Sequence, residues 1–223
     1  MFIGHLALGF AAKRVTPQIS LAGLLVAAQL ADLLWPVFLA FEIEHVRIDP
    51  GNTAVTPLDF VSYPYSHSLL LLLVWGAALG LLYSRITDNG RVFFIISTLV
   101  ISHWFLDFLT HRPDMPLYPG GPKFGVGLWN SVAGTLIVEL AMYVVGLWVY
   151  MTTTRPRDRI GRWAFVGLAG FLGALYVVNL TAPPPPSVRA LYLTALIGAG
   201  LLTLWSWWAD RHRLSVICVG RTL

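Results

Sequence analysis

The chain has 223 residues, of which 57% are hydrophobic and only 12% charged, with a formal net charge of +4. A soluble domain carries about a quarter charged residues, so this composition and a mean hydropathy of +0.70 exclude a soluble globular enzyme and indicate an integral membrane protein. The modest positive charge is not read as nucleic-acid binding, and the single cysteine, Cys218, excludes an intrachain disulfide and any thiolate-rich metal site.

The first dozen residues are apolar, and the basic pair Lys13 and Arg14 follows them. A secretory signal places its basic residues first, so 1–12 reads as retained structure. At about 1.5 Å per residue it reaches about 18 Å. That is too short to cross a bilayer, so it lies in the interface or enters the bundle partway. Six longer apolar runs follow, near 19–41, 67–84, 92–110, 131–151, 162–181 and 188–208, each close to the roughly 20 helical residues that cross the hydrocarbon core. The expected fold is all-α: a single polytopic membrane bundle over 1–223, with about six transmembrane helices and a short N-terminal half-helix. Two long connections, 42–66 and 111–130, are rich in Pro and Gly, and irregular loops of that length are commonly functional. The APPPP stretch at 182–186 reads as a stiff turn.

Orientation follows from Lys and Arg. Lys13, Arg14, Arg85, Arg91, Arg155, Arg157, Arg159, Arg162, Arg211, Arg213 and Arg221 fall on one side; Arg47, Arg112, Lys123 and Arg189 fall on the other. Both termini are therefore expected in the cytoplasm, with the two long loops outside.

Ionisable residues inside a membrane mark function by default, because each is costly unless bound. They are distributed unevenly. His5 lies in the first short run, Asp32 in QLADLLWP, His67 at the start of the second span, His103 and Asp107 in SHWFLDFLTH, and Glu139 in the middle of the fourth. The last two spans hold little that ionises. The chain thus reads as a site-bearing part, 1–151, and two scaffolding helices, 162–208. His103, Asp107 and His111 recur every four residues, on one helical face. Counting helical rise from the cytoplasmic ends places Asp32 about 20 Å up, His103 about 18 Å, Asp107 about 24 Å and His67 about 25 Å. All four fall in the outer half of the core; His5 joins them only if the first helix stands in the bundle.

Imidazole and carboxylate together are what a divalent transition metal takes as ligands. His5, Asp32, His67, His103 and Asp107 exceed the four ligands of a closed structural zinc site, which favours a catalytic or two-metal centre. Zn leads; Mn and Fe stay open, since spacing does not separate them. Glu139, His111 and Asp114 are the candidate general acids or bases, and Arg112 and Lys123 the candidate contacts to an anionic head group. Plainer roles remain for several of them. Asp32 and Glu139 can hold neighbouring helices together by hydrogen bonds, His67 can be an interfacial histidine, His111 can be solvated, and Asp114 can belong to a turn.

Four short elements, GHLALGFA with His5, QLADLLWP with Asp32, SHS at 66–68 and SHWFLD at 102–107, resemble in order and spacing a bacterial inner-membrane family of membrane-bound metal-dependent hydrolases. The resemblance covers about 1–150. It implies His5, Asp32, His67, His103 and Asp107 as metal ligands, hydrolysis as the activity and the bacterial inner membrane as the location. Two departures stand out. Ala31-Asp32-Leu33-Leu34 replaces a Pro-Asp-x-Asp, and Ser62-Tyr63-Pro64 replaces a His-Arg-Gly. The expected function is a membrane-embedded metal-dependent hydrolase acting on a lipid or lipid-linked phosphoester near the outer face. An ion- or proton-coupled transporter and a non-catalytic scaffold with a structural metal are the alternatives.

Overall fold

The structure is a computed structural model that describes residues 1–216; the expectations for Cys218 and Arg221 lie outside them. In chain order, helix α1 (Ile3–Ala12) is followed by α2 (Leu21–Ala28) and α3 (Leu30–Ala40), with only Gln29 between them. The first long connection carries the hairpin β1 (His45–Ile48) and β2 (Leu58–Ser62), then the short helix α4 (Pro64–His67). Helices α5 (Leu69–Thr87) and α6 (Gly90–Thr110) come next, then the small hairpin β3 (Met115–Pro116) and β4 (Lys123–Phe124). Helix α7 (Val132–Thr153) leads through β5 (Thr154–Pro156) to α8 (Arg159–Thr181) and α9 (Val188–Arg211), and β6 (Arg213–Ser215) pairs back with β5.

Local chemistry sets the helix starts. The side chains of Ser20, Ser68, Asn89, Ser131, Asp158 and Ser187 each accept a backbone N–H in the first turn of α2, α5, α6, α7, α8 and α9, answering donors that a helix leaves free. Asp88 adopts a left-handed conformation with φ of 48°, so α5 can stop and α6 start within a few residues.

Five helices, α5 to α9, are long and apolar enough to cross a membrane, and the α2–α3 pair makes a sixth if it counts as one bent span. The protein is thus a multi-pass helical bundle. Its outward faces carry exposed Leu73, Val74, Val144, Trp148, Ile197 and Leu204, side chains that lipid solvates without penalty. Close helix contact uses small residues. Ser97 Oγ donates to Gly76 O at 2.9 Å between α6 and α5, and a Cβ at Gly146 of α7 would collide with the Ala7 backbone of α1.

Three expectations need correction. The run 19–41 is not one straight helix; it bends by 63° at Gln29, because an apolar run encodes burial and not straightness. The depth counted for Asp32 along a straight helix therefore does not apply. The second span begins at Leu69, not at His67, because Ser68 is extended and caps α5, leaving His67 at the end of α4. The segment 1–12 takes the second of its two expected placements, inside the bundle, and the N-terminus does not sit at the basic end as expected. Helix α1 stands inside the bundle with Ile3, Gly4, His5, Leu6, Ala7, Gly9 and Phe10 buried, and Met1 sits beside Asp107 and Thr110 of α6. The basic end of the bundle thus begins at Lys13, not at Met1.

The scaffolding helices are not set apart by packing. Helix α9 lies against α2, α3 and α8, and its Leu191 and Tyr192 join the apolar cluster around Trp35 and Trp104.

Candidate metal centre

Five elements converge where α6 ends. The bend at Gln29 makes the first contribution. In an unbroken helix the Ala28 carbonyl would accept the N–H of residue 32; here it accepts His103 Nδ1 at 2.9 Å. The same bend places Asp32 in the first turn of α3, where the helix dipole favours a carboxylate. Helix α6 supplies His103 and Asp107 from one face, α1 supplies His5, and α4 supplies His67.

The proton positions on three imidazoles follow from their outer partners. A backbone carbonyl only accepts, so His103 carries its proton on Nδ1. Ser66 Oγ has one hydrogen and donates it to Glu44 Oε2 at 2.6 Å; the His67 Nδ1 at 2.7 Å from that oxygen must then donate to it. At His111, Nδ1 lies 2.9 Å from Asp114 Oδ1, which also accepts from Tyr63 Oη at 2.8 Å. Burial pushes the His111 imidazole below its usual pKa range, favouring the neutral ring, while burial and Asp114 hold the Tyr63 phenol well above its own.

In their neutral forms all three rings turn an Nε2 lone pair inward, and what they face is carboxylate oxygen. Asp107 Oδ2 lies 3.1 Å from His103 Nε2 and 3.9 Å from both His67 Nε2 and His111 Nε2. Asp32 Oδ1 lies 3.4 Å from His67 Nε2 and 3.7 Å from His103 Nε2. His103 Nε2 is fully buried and has no hydrogen-bond partner among the described residues. Lone pairs facing anionic oxygens repel in a low-dielectric interior unless a cation lies between them. An ion bound tetrahedrally at about 2.0–2.1 Å separates its ligand atoms by about 3.4 Å, which falls inside the observed range. His5 completes the group from the other side. Its Nε2 is 2.9 Å from Asp107 Oδ1, an oxygen that also accepts from the Met1 amino group, and its ring stacks on that of His103 with centroids 3.7 Å apart. Two overlapping sets, His5/His103/Asp107 and Asp32/His67/His103, are thus close enough to hold a metal ion.

The other expected residues fall into different surroundings. His111 borders the cluster, packed between Phe60 and Trp129, with Asp114 behind it. Glu139 is buried in α7 and caps α1: its Oε2 accepts from Phe2 N at 2.8 Å and Gly4 N at 3.2 Å. Arg112 is engaged by Asp59 and Asn52 and lies 3.4 Å from Asp114 Oδ2. Lys123 is exposed and, among the described residues, reaches only Val61 O, at 3.3 Å.

Glu44, Ser66, Tyr63 and Asp59 take part without having been singled out as site residues. Ser66 had a signal, since it flanks His67. Glu44 had none, because it reaches the site through a hairpin whose fold no periodicity reveals. Comparison of the chain with protein-family models, with curated proteins and with solved structures returned no match.

Proposed function

We propose that the protein is a membrane-embedded, metal-dependent hydrolase of lipid or lipid-linked phosphoesters, working near the end of the bundle that carries the two long loops. The observation that carries this reading is the convergence of the His67, His103 and His111 Nε2 atoms on the carboxylate oxygens of Asp32 and Asp107. The resemblance of the His5, Asp32, His67 and His103/Asp107 elements to inner-membrane hydrolases supports it.

Asp32, His67, His103 and Asp107 would hold the ion, with His5 alongside. A divalent transition metal there supplies Lewis acidity toward a phosphoryl or carbonyl oxygen. Zn suits the imidazole and carboxylate donors, as do Mn and Fe. His111, oriented by Asp114 and Tyr63, accepts the proton of the attacking water through Nε2. The protonated His111 then gives that proton to the leaving oxygen as its bond to phosphorus breaks. The Asp32 side chain is 37% exposed, against 3% for Asp107 and His67, so substrate reaches the group from the Asp32 side. Lys123, exposed and with no carboxylate partner among the described residues, would meet an anionic head group, whereas Arg112 is already committed to Asp59. The basic residues at the Lys13 end support a cytoplasmic position for that end by the positive-inside bias, and the resemblance supports a bacterial inner-membrane location.

A transport pathway is less well supported, because fully buried Leu6, Phe10, Leu21 and Leu24 fill the interior between His5 and the basic end. The test is phosphate release from a lipid-linked phosphoester by purified, metal-loaded protein. Hydrolysis that disappears in His103→Ala is expected. Hydrolysis unchanged by that substitution, or a pH-gradient-driven flux in proteoliposomes abolished by Asp107→Asn, contradicts the reading.

A further inference from the structure

Glu44 is a buried carboxylate that the proposed chemistry does not use. It is 1% exposed, and Ser66 and His67 beside it are 0% and 2% exposed. It belongs to the turn after α3, where the N–H groups of Ile43 and Glu44 both reach Phe38 O. From there its Oε1 accepts from Tyr65 N at 2.7 Å and Ser66 N at 2.9 Å, and its Oε2 accepts from the Ser66 hydroxyl. One side chain thus satisfies two amides and fixes the direction of one hydroxyl.

We infer that Glu44 is a positioning residue that acts through Ser66 to lock His67 in the tautomer whose Nε2 lone pair faces Asp32 and Asp107. This rests on the reading of the cluster as a metal centre, but the tautomer itself can be observed without a metal. A carboxylate can only accept, so the Ser66 hydrogen points to Glu44. The Ser66 oxygen can then only accept from His67 Nδ1, and in the neutral ring the remaining nitrogen is left unprotonated and directed inward. Metal-binding histidines are typically held this way through the other ring nitrogen. The same carboxylate also ties the turn after α3 to α4, which carries His67.

Glu44→Gln makes a sharp test, because glutamine can keep its oxygen on the two amides while its NH2 group faces Ser66. That NH2 donates, the Ser66 hydroxyl turns toward His67 Nδ1, and the ring proton moves to Nε2, where it blocks a cation. Histidine-selective 15N spectra of metal-free protein, with the His67 signal assigned by its loss in His67→Gln, read this directly. The expected result is an Nδ1–H ring in the parent protein and an Nε2–H ring in Glu44→Gln. In Zn(II) titrations against a competing chelator, Glu44→Gln and Ser66→Ala should bind about 10- to 100-fold more weakly, and Ser66→Thr, which keeps the hydroxyl, should recover most of the loss. If Glu44→Gln fails to fold, the Ser66→Ala and Ser66→Thr pair decides the matter. An unchanged His67 tautomer with unchanged Zn(II) affinity overturns the inference. If the parent protein takes up no Zn(II), the metal reading fails, and the tautomer spectra still decide the role of Glu44.

Discussion

At the basic end of the bundle, Lys13 Nζ donates to Asp210 Oδ2 at 2.7 Å and to Ile19 O at 2.8 Å. Asp210 also accepts from Leu21 N and from the Tyr150 hydroxyl, at 2.9 and 2.6 Å. Every one of these contacts joins a donor to an acceptor, and together they tie α1, α2, α7 and α9. At the other end Asp107 Oδ1 accepts from the Met1 amino group, but neutral imidazoles of His67, His103 and His111 set acceptor against acceptor, their Nε2 atoms facing Asp32 Oδ1 and Asp107 Oδ2. Both clusters bury polar groups at a cost that only good partners offset. The first finds its partners within the chain, which is what a structural fastening does. The second groups buried His and Asp side chains that could hold a metal ion, which is what marks a candidate binding site. Burial alone would have ranked the two alike; the sense of the hydrogen bonds separates them.

Substitutions can break this contrast, beginning with the largest effect. Asp210→Ala leaves Lys13 buried without its partner, and loss of one member of such a pair costs about 3–5 kcal/mol. Thermal unfolding in detergent should show that loss with or without metal. Asp32→Asn should behave in the opposite way. Metal-free stability stays close to that of the parent, and what disappears is the stabilisation conferred by metal, about 2.7 kcal/mol at a hundredfold excess over Kd. Equal destabilisation with and without metal would put Asp32 in the structural class with Asp210.

Arg112→Ala tests the outer hairpin. Arg112 shares Asp59 with Arg47, which lies at 2.5 Å, but both arginine side chains are well exposed, so the cost should be about 1 kcal/mol or less. It should appear as faster amide exchange over 45–62, with metal affinity unchanged. The smallest effect belongs to Asp158, an exposed cap of α8 that accepts from Gly161 N at 2.8 Å and lies 2.7 Å from His212 Nδ1. The His212 hydrogen bond holds the Asp158 carboxyl below its ordinary value of 3.8. A depressed carboxyl stabilises the fold above that ordinary value, and the contribution is lost as pH falls through the lower, folded one. A parent protein should therefore lose slightly more stability than Asp158→Asn on going from pH 5 to pH 3, in unfolding scans.

The sequence made the class of fold legible, because apolar runs of spanning length need no tertiary information. His103 and Asp107 were legible for the same reason, since four-residue spacing on a helix is a local property. The bend at Gln29 was not, because nothing in LLVAAQLADLLWP marks a break whose compensation, the His103 bond to Ala28 O, comes from 75 residues away. Glu139 looked like a candidate base from its place in an apolar span, yet its carboxylate is spent on two amides of α1, a partner fixed only when α1 enters the bundle. Arg112 looked free for an anion until the β1–β2 hairpin brought Asp59 to it. The residues that define proton positions, Glu44 and Ser66, act through a turn and a hydroxyl that carry no periodic signal.

The most direct measurement is the metal content of protein purified from metal-replete cells, for the parent chain and for His103→Ala. The account predicts at least one equivalent of Zn, Mn or Fe per chain in the parent and a near-complete loss in His103→Ala, with the fold retained. A parent protein free of transition metal, or a His103→Ala variant that keeps its full complement, would contradict it.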